Sequence, residues 1–260
     1  MTIRIGTSGF SFADWIGPFY PVGLKREALL EFYATQFDCV EINSTYYGIP
    51  APGTFAKMAA RTPPEFRFVV KAAAVVTHER TADAAADDAF RRACEPLADA
   101  GKFEGTLVQF PWAFQNDAAA QAYLRDLRAR LPEGPVFVEF RHRSWAKPST
   151  LALLDELGLG YCCVDEPALP SLMPGDAYAV GARGYVRLHG RNAAKWWKGS
   201  NSERYDYEYS EPQLAEWAGK IRGLAGRATT TYVFFNNCHA GQAARNAKLL
   251  KTLLAGNPRN

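Results

Sequence analysis

Seven ionisable side chains stand where apolar, strand-favouring runs come to an end. They are Glu41 in CVEIN, Lys71 in FRFVVK, Glu139 and Arg141 in VFVEFRHR, Asp165 in YCCVD, and Arg187 and His189 in YVRLH. Asn43, Gln109, Asn236 and Asn237 occupy equivalent positions in their own runs. Carboxylates beside cations tune one another's pKa and so suit general acid–base work. Lysine and arginine clamp phosphates and carboxylates, and stabilise charge that develops in a transition state. Glu41, Lys71, Glu139, Asp165 and His189 are therefore the candidate catalytic groups. Asn43, Gln109, Arg141, Arg187, Asn236 and Asn237 are the candidate substrate-binding groups, with Trp196 and Trp197 as an aromatic platform or lid. Glu41, Glu139, Asp165 and His189 also offer divalent-metal donors. Two arginines and a lysine could neutralise those carboxylates without an ion, so a metal is not favoured and no ligand set is assigned.

The competing reading is a set of structural salt bridges plugging a barrel. Burying several ions is costly unless all are paired, and the polar positions fall at one end of the runs only, so a site is the better reading. His78, in VVTHER, is a candidate rim group. His142 directly follows Arg141 and should face the other way. His239, in NNCHAG, reads as a cap at a strand-to-helix junction. Trp15, Phe19 and Tyr20 sit near glycine and proline and read as hydrophobic plugs. No serine or cysteine lies in a nucleophile-elbow setting.

Residues two apart on a strand share a face, so Glu41 with Asn43, Glu139 with Arg141, and Arg187 with His189 should point together. Eight runs supply the strands: IRIG (3–6), CVEIN (39–43), FRFVVK (66–71), TLVQF (106–110), VFVEF (136–140), YCCVD (161–165), YVRLH (185–189) and TYVFFNN (231–237). Apolar residues at helical spacing fill 25–37, 84–100, 117–130, 150–157, 211–224 and 241–254. Ser149 or Thr150, and Ser210, are the expected N-caps, with Pro212 in a first turn. Strands alternating with helices predict a parallel sheet, and eight of them favour closure into a TIM-type (β/α)8 barrel. Residues 165–184 show loop chemistry, so no regular helix is expected between the sixth and seventh strands. No linker or repeat divides residues 1–260, which read as one domain.

A net charge of +3, from 30 basic and 27 acidic residues, gives no polyelectrolyte signature. Any nucleic-acid binding would rest on local charge. The five cysteines show no CxxC spacing and lie mostly in apolar runs, the pattern of reduced thiols in a cytoplasmic protein. No apolar run approaches the roughly 18 residues of a membrane span. Nothing in the pattern sets an oligomeric state.

Taken together, IGTSGFSFADWIGPFYPVGL (5–24), FDCVEINSTYYGIP (37–50), FRFVVKAAAVVTH (66–78), GTLVQFP (105–111), VEFRHRSW (138–145), YVRLHGR (185–191), YDYEYS (205–210) and FFNNCHAGQAARNA (234–247) resemble the YecE-like proteins, domain-of-unknown-function family 72. Phe10 and Phe12 stand where the family's opening motif has Trp and Tyr, which removes two polar handles. The resemblance implies a TIM barrel and no assigned activity. The residues themselves point first to an enzyme acting on a small polar, anionic metabolite: a sugar, sugar phosphate or nucleotide-like compound. Metal-dependent phosphodiester or nucleic-acid processing is one alternative, and a non-catalytic ligand- or partner-binding protein is another.

Overall fold

Runs rich in Val, Ile, Phe and Tyr favour a pleated, two-sided buried strand, and each of the eight becomes one. In the computed structural model, which describes residues 1–131 and 133–256, the strands are β1 (Thr2–Thr7), β2 (Cys39–Ile42), β3 (Arg67–Lys71), β4 (Phe103–Gln109), β5 (Val136–Glu139), β6 (Gly160–Asp165), β7 (Arg183–Leu188) and β8 (Thr230–Phe235). All pairings are parallel, in the order β1-β8-β7-β6-β5-β4-β3-β2. The circle closes beyond the regular ladders. Ser8 bridges Glu41, and the Gly9 amide donates to the Glu41 carbonyl at 2.8 Å. The result is a nearly closed α/β barrel of the TIM type.

Closure depends on a close approach of β1 to β2. A Cβ on Gly6 would lie 2.2 Å from the Cys39 carbonyl oxygen, a backbone atom that cannot swing away. Gly6→Ala is expected to destabilise the fold by roughly 1–3 kcal/mol, the usual cost of overpacking. Urea unfolding measures it, and an unchanged midpoint would mean that this seam yields to accommodate a methyl group.

The helices follow the predicted segments. They are α1 (Leu29–Gln36), α2 (Pro52–Ala60), α3 (Ala74–Thr77), α4 (Ala84–Asp99), α5 (Ala118–Arg130), α6 (Pro148–Glu156), α7 (Asn201–Arg204), α8 (Glu211–Ala225) and α9 (Gln242–Ala255). The sequence pattern missed α2, α3 and α7; the last two are single turns. The expected cap of α6 is corrected. Lys147 is the N-cap, because Pro148 takes the first turn and moves the start ahead of Ser149. Ser210 does cap α8, its amide donating to Gln213 Oε1 at 3.0 Å. Residues 166–182 between β6 and β7 contain no helix, as expected.

Aromatic residues of the first loop close the barrel's flank. Trp15 and Tyr20 are fully buried, and the Trp15 indole donates to the Cys238 carbonyl at 2.6 Å. One expectation fails: polarity is not confined to one end. At the N-terminal end Glu104 pairs with Arg67 (3.1 Å) and Arg183 (3.6 Å), and accepts from the Tyr232 hydroxyl at 2.5 Å. Glu104, Arg67 and Arg183 remain partly exposed while Tyr232 is buried, so this end carries a partly solvated ion cluster. Phe137, Tyr185 and Phe234 pack between the two ends.

Candidate functional site

At the C-terminal ends of the strands the inward-facing charges form a buried network centred on Arg187. Its Nη2 donates to Glu41 Oε1 at 2.7 Å and its Nη1 to Glu139 Oε2 at 2.6 Å. The Tyr185 hydroxyl donates to the second Glu41 oxygen at 2.6 Å. Glu139 Oε1 lies 2.6 Å from Arg141 Nε, a close ion-pair contact, and 3.2 Å from His189 Nε2. Arg141 Nη1 continues the chain to Glu166 Oε2 at 3.1 Å. Strand parity explains the assembly, since each of the three pairs expected to share a face does so.

The network fixes protonation states. Burial alone would raise the Glu139 carboxyl, but Arg141, Arg187 and His189 outweigh it and hold it well below the usual carboxylate range. Burial, with Arg141 alongside, lowers His189 to about 3, so the ring is neutral. Asn236 Nδ2 at 3.0 Å and Arg141 Nη2 at 3.5 Å both face His189 Nδ1, which leaves the ring proton on Nε2 towards Glu139. Burial raises Glu166 to about 7 despite Arg141.

Above the network opens a cavity of about 360 Å³. Lys71, Arg141, Arg187 and Arg204 line it with Asn43, Gln109 and Asn236, and the aromatic part of its wall includes Tyr46, Trp112, Trp196 and Trp197. Lys71 Nζ donates to Gln109 Oε1 at 2.9 Å and sits 4.4 Å from the centre of the Tyr46 ring. Burial, aided by Arg187, lowers its amine to about 7. Trp196 is buried beside Arg141 and Arg204, while Trp197 is half exposed and meets Trp112 edge-on at 5.7 Å.

Two of the residues expected in the site lie elsewhere. Asp165 faces away because Cys162, whose thiol approaches Glu139, sets the inward parity of β6. Its carboxylate instead takes Arg191 in a bidentate pair (2.7 and 2.8 Å) and the Tyr209 hydroxyl at 2.6 Å. Asn237 likewise turns outward, donating to the Tyr207 carbonyl and to Asn246 Oδ1, both at 2.8 Å. Glu41, Glu139 and His189 lie beneath the cavity rather than on its wall. Among the described residues no three His, Cys, Asp or Glu side chains come together to hold a metal. Arginines occupy the carboxylates that the sequence offered for that purpose.

Glu166 and Arg204 are the residues missed. Glu166 shares the Cys162 face four positions on, and anchoring parity at Cys162 would have found it. Arg204 ends the single turn α7, which is too short to show a periodicity.

The family model described as a protein of unknown function, DUF72, matches residues 4–260. A solved DUF72 family protein from Thermotoga maritima has a TM-score of 0.91 and 40% identity, covering 98% of this chain and 100% of that one. The UPF0759 protein YunF of Bacillus subtilis is 30% identical over 269 residues, 97% of this chain and 94% of its own. The UPF0759 protein YecE of Escherichia coli is 40% identical over 77 residues, 30% of this chain and 26% of its own. A family match that takes in all but the first three residues carries the barrel, its closing seam and the strand ends beneath the cavity together, and the chain belongs to the DUF72 family.

Proposed function

We propose that this protein is an enzyme acting on a small anionic metabolite held in the strand-end cavity, with Lys71 as its acid–base group. The observation that carries this reading is the lining itself: among the described residues, four cationic side chains and no carboxylate. The carboxylates below are already committed to Arg187 and Arg141, so they orient the cations instead of cancelling Lys71 and Arg204. Asn43 Oδ1 and Arg204 Nε are buried with no hydrogen-bond partner among the described residues, which favours a ligand bearing both hydroxyl and anionic groups. The exposed faces of Trp112 and Trp197 suit a sugar or planar ring at the mouth. A lysine near neutrality serves as base or acid at physiological pH, a role that locked Glu139 no longer fits.

The five cysteines are unpaired thiols, four of them buried, which supports a reducing, cytoplasmic setting. No helix of the described residues is long and apolar enough to cross a membrane.

Thermal unfolding with sugar phosphates, nucleotides and neutral sugars tests the reading. Phosphorylated ligands should stabilise the protein, by about 2.7 kcal/mol at a hundred times Kd. Added salt and Arg204→Ala should both weaken the effect. Equal stabilisation by neutral sugars would overturn an anion site.

A further inference from the structure

Two lysines are withdrawn from solvent, and they are held differently. Lys102 Nζ donates to the Ala59 carbonyl (2.6 Å), the Thr62 carbonyl (2.6 Å) and Thr62 Oγ1 (3.0 Å), so every donor is used. Lys71 Nζ has a single acceptor, Gln109 Oε1, and no carboxylate within ion-pair distance among the described residues. Its other side faces the Tyr46 ring and the cavity. The amine is also well positioned. Gln109 is itself fixed by donating to the Phe110 carbonyl at 2.6 Å, and Thr45 Oγ1 donates to the Lys71 carbonyl at 2.5 Å. Tyr46 is braced edge-on by Tyr47 (5.1 Å) and His78 (4.9 Å).

An ammonium that only binds anions gains from a neighbouring carboxylate that holds its proton. A lysine with no carboxylate in ion-pair contact, with Glu139 and Glu41 already taken by Arg141 and Arg187, is arranged to lose that proton, and the arginines remain to hold the ligand's charge.

We propose that Lys71 is a nucleophile that forms an imine with the carbonyl carbon of an anionic substrate, so that the ligand class is a keto acid or a phosphorylated ketone or aldehyde. This rests on the cavity being the anion site proposed above. The amine lone pair attacks the carbonyl carbon, a C–N bond forms, and the carbonyl π pair moves to oxygen. Both amine protons pass to that oxygen, which leaves as water while the nitrogen pair closes the C=N bond. No oxidant or reductant is consumed. The neutral imine then takes one proton from solvent, and the resulting iminium withdraws electrons from the adjacent carbon. A bond at that carbon is thereby weakened.

The test uses two ligand pairs that share an anion and differ in the carbonyl: pyruvate with lactate, and dihydroxyacetone phosphate with glycerol phosphate. Thermal unfolding measures binding of all four, and mass spectrometry after cyanoborohydride treatment locates adducts. At least one carbonyl ligand should label Lys71 ~100-fold faster than exposed lysines such as Lys25 and Lys57, reflecting its larger share of free amine. Lys71→Arg should lose that label and keep binding the carbonyl-free partner. Stabilisation by both members of a pair without a Lys71 adduct would sink the imine and leave the anion site standing. Absence of both stabilisation and labelling would remove both. Label spread evenly over surface lysines would also count against the proposal, and this comparison needs only the unmodified protein.

Discussion

Lys71→Met is expected to make the protein more stable while removing its reactive amine. The Lys71 amine falls from 10.5 to about 7 on folding, because burial and Arg187 oppose its charge. Between those values the unfolded chain binds the proton more readily than the native one, so stability rises with pH across that window. Below about pH 7 both states are protonated and the native state carries the full penalty. At about 1.4 kcal/mol per unit the penalty is several kcal/mol. Against it stands Gln109 Oε1, which the variant leaves without its donor at a cost of about 1–3 kcal/mol. The charge term wins, for a net gain of roughly 2 kcal/mol near pH 6. Urea unfolding from pH 6 to pH 10 should show the gap between variant and wild type closing as pH rises. A variant less stable at pH 6, or a gap independent of pH, would mean that the ammonium is well satisfied where it stands.

The direction of that effect bears on function. A group that costs stability, faces a cavity and could be replaced by a hydrophobe is the kind retained for what it does. Lys102 makes the contrast, since its three acceptors bind β4's start to α2 and its replacement would leave those carbonyl groups unpaired.

The barrel was legible because its strands are buried on both faces and end in charges, so that composition and parity reported the same boundaries. Parity also brought Glu139, Arg141, Arg187 and His189 to one layer. It failed at β6, where the run YCCVD offers no charge to anchor the inward face until its last residue. The chemistry of Asp165 suggests an inward residue, while the thiol of Cys162 sets the inward face in favour of Glu166. The network's pairing was not legible at all. Which carboxylate Arg187 takes depends on the circular order of strands: β6 alone separates β7 from β5, β8 and β1 separate it from β2 on the other side, and only closure lets one guanidinium reach both. The same holds for Arg204, whose loop folds over the mouth from the β7 side.

Arg187 carries the largest expected loss. Its two amino groups are the shared partner of Glu41 and Glu139, and all three side chains are essentially out of solvent. Arg187→Met leaves two buried carboxylates facing each other across an apolar side chain, a change that costs about 3–5 kcal/mol. The pH dependence identifies the cause. In the wild type Glu139 is held below its ordinary value, so its contribution is present above about pH 4.5 and is lost as pH falls. Without Arg187, Arg141 and His189 alone oppose burial, and the carboxyl moves up. Less of that contribution is then present at neutral pH, while in acid it is absent from both proteins. The deficit of Arg187→Met should therefore be small in acid and grow towards neutrality. Adding Glu41→Gln removes the carboxylate that has lost its arginine, since Glu139 keeps Arg141, and should recover on the order of 1–3 kcal/mol, a coupling readable from the double-mutant cycle. Arg187 also opposes the charge on Lys71, so the variant's Lys71 should titrate higher and label with carbonyl ligands only at more alkaline pH. A uniform loss at all pH values, with the labelling profile unmoved, would reduce Arg187 to packing. A deficit and a labelling profile that both move with pH would tie the buried network to the amine above it.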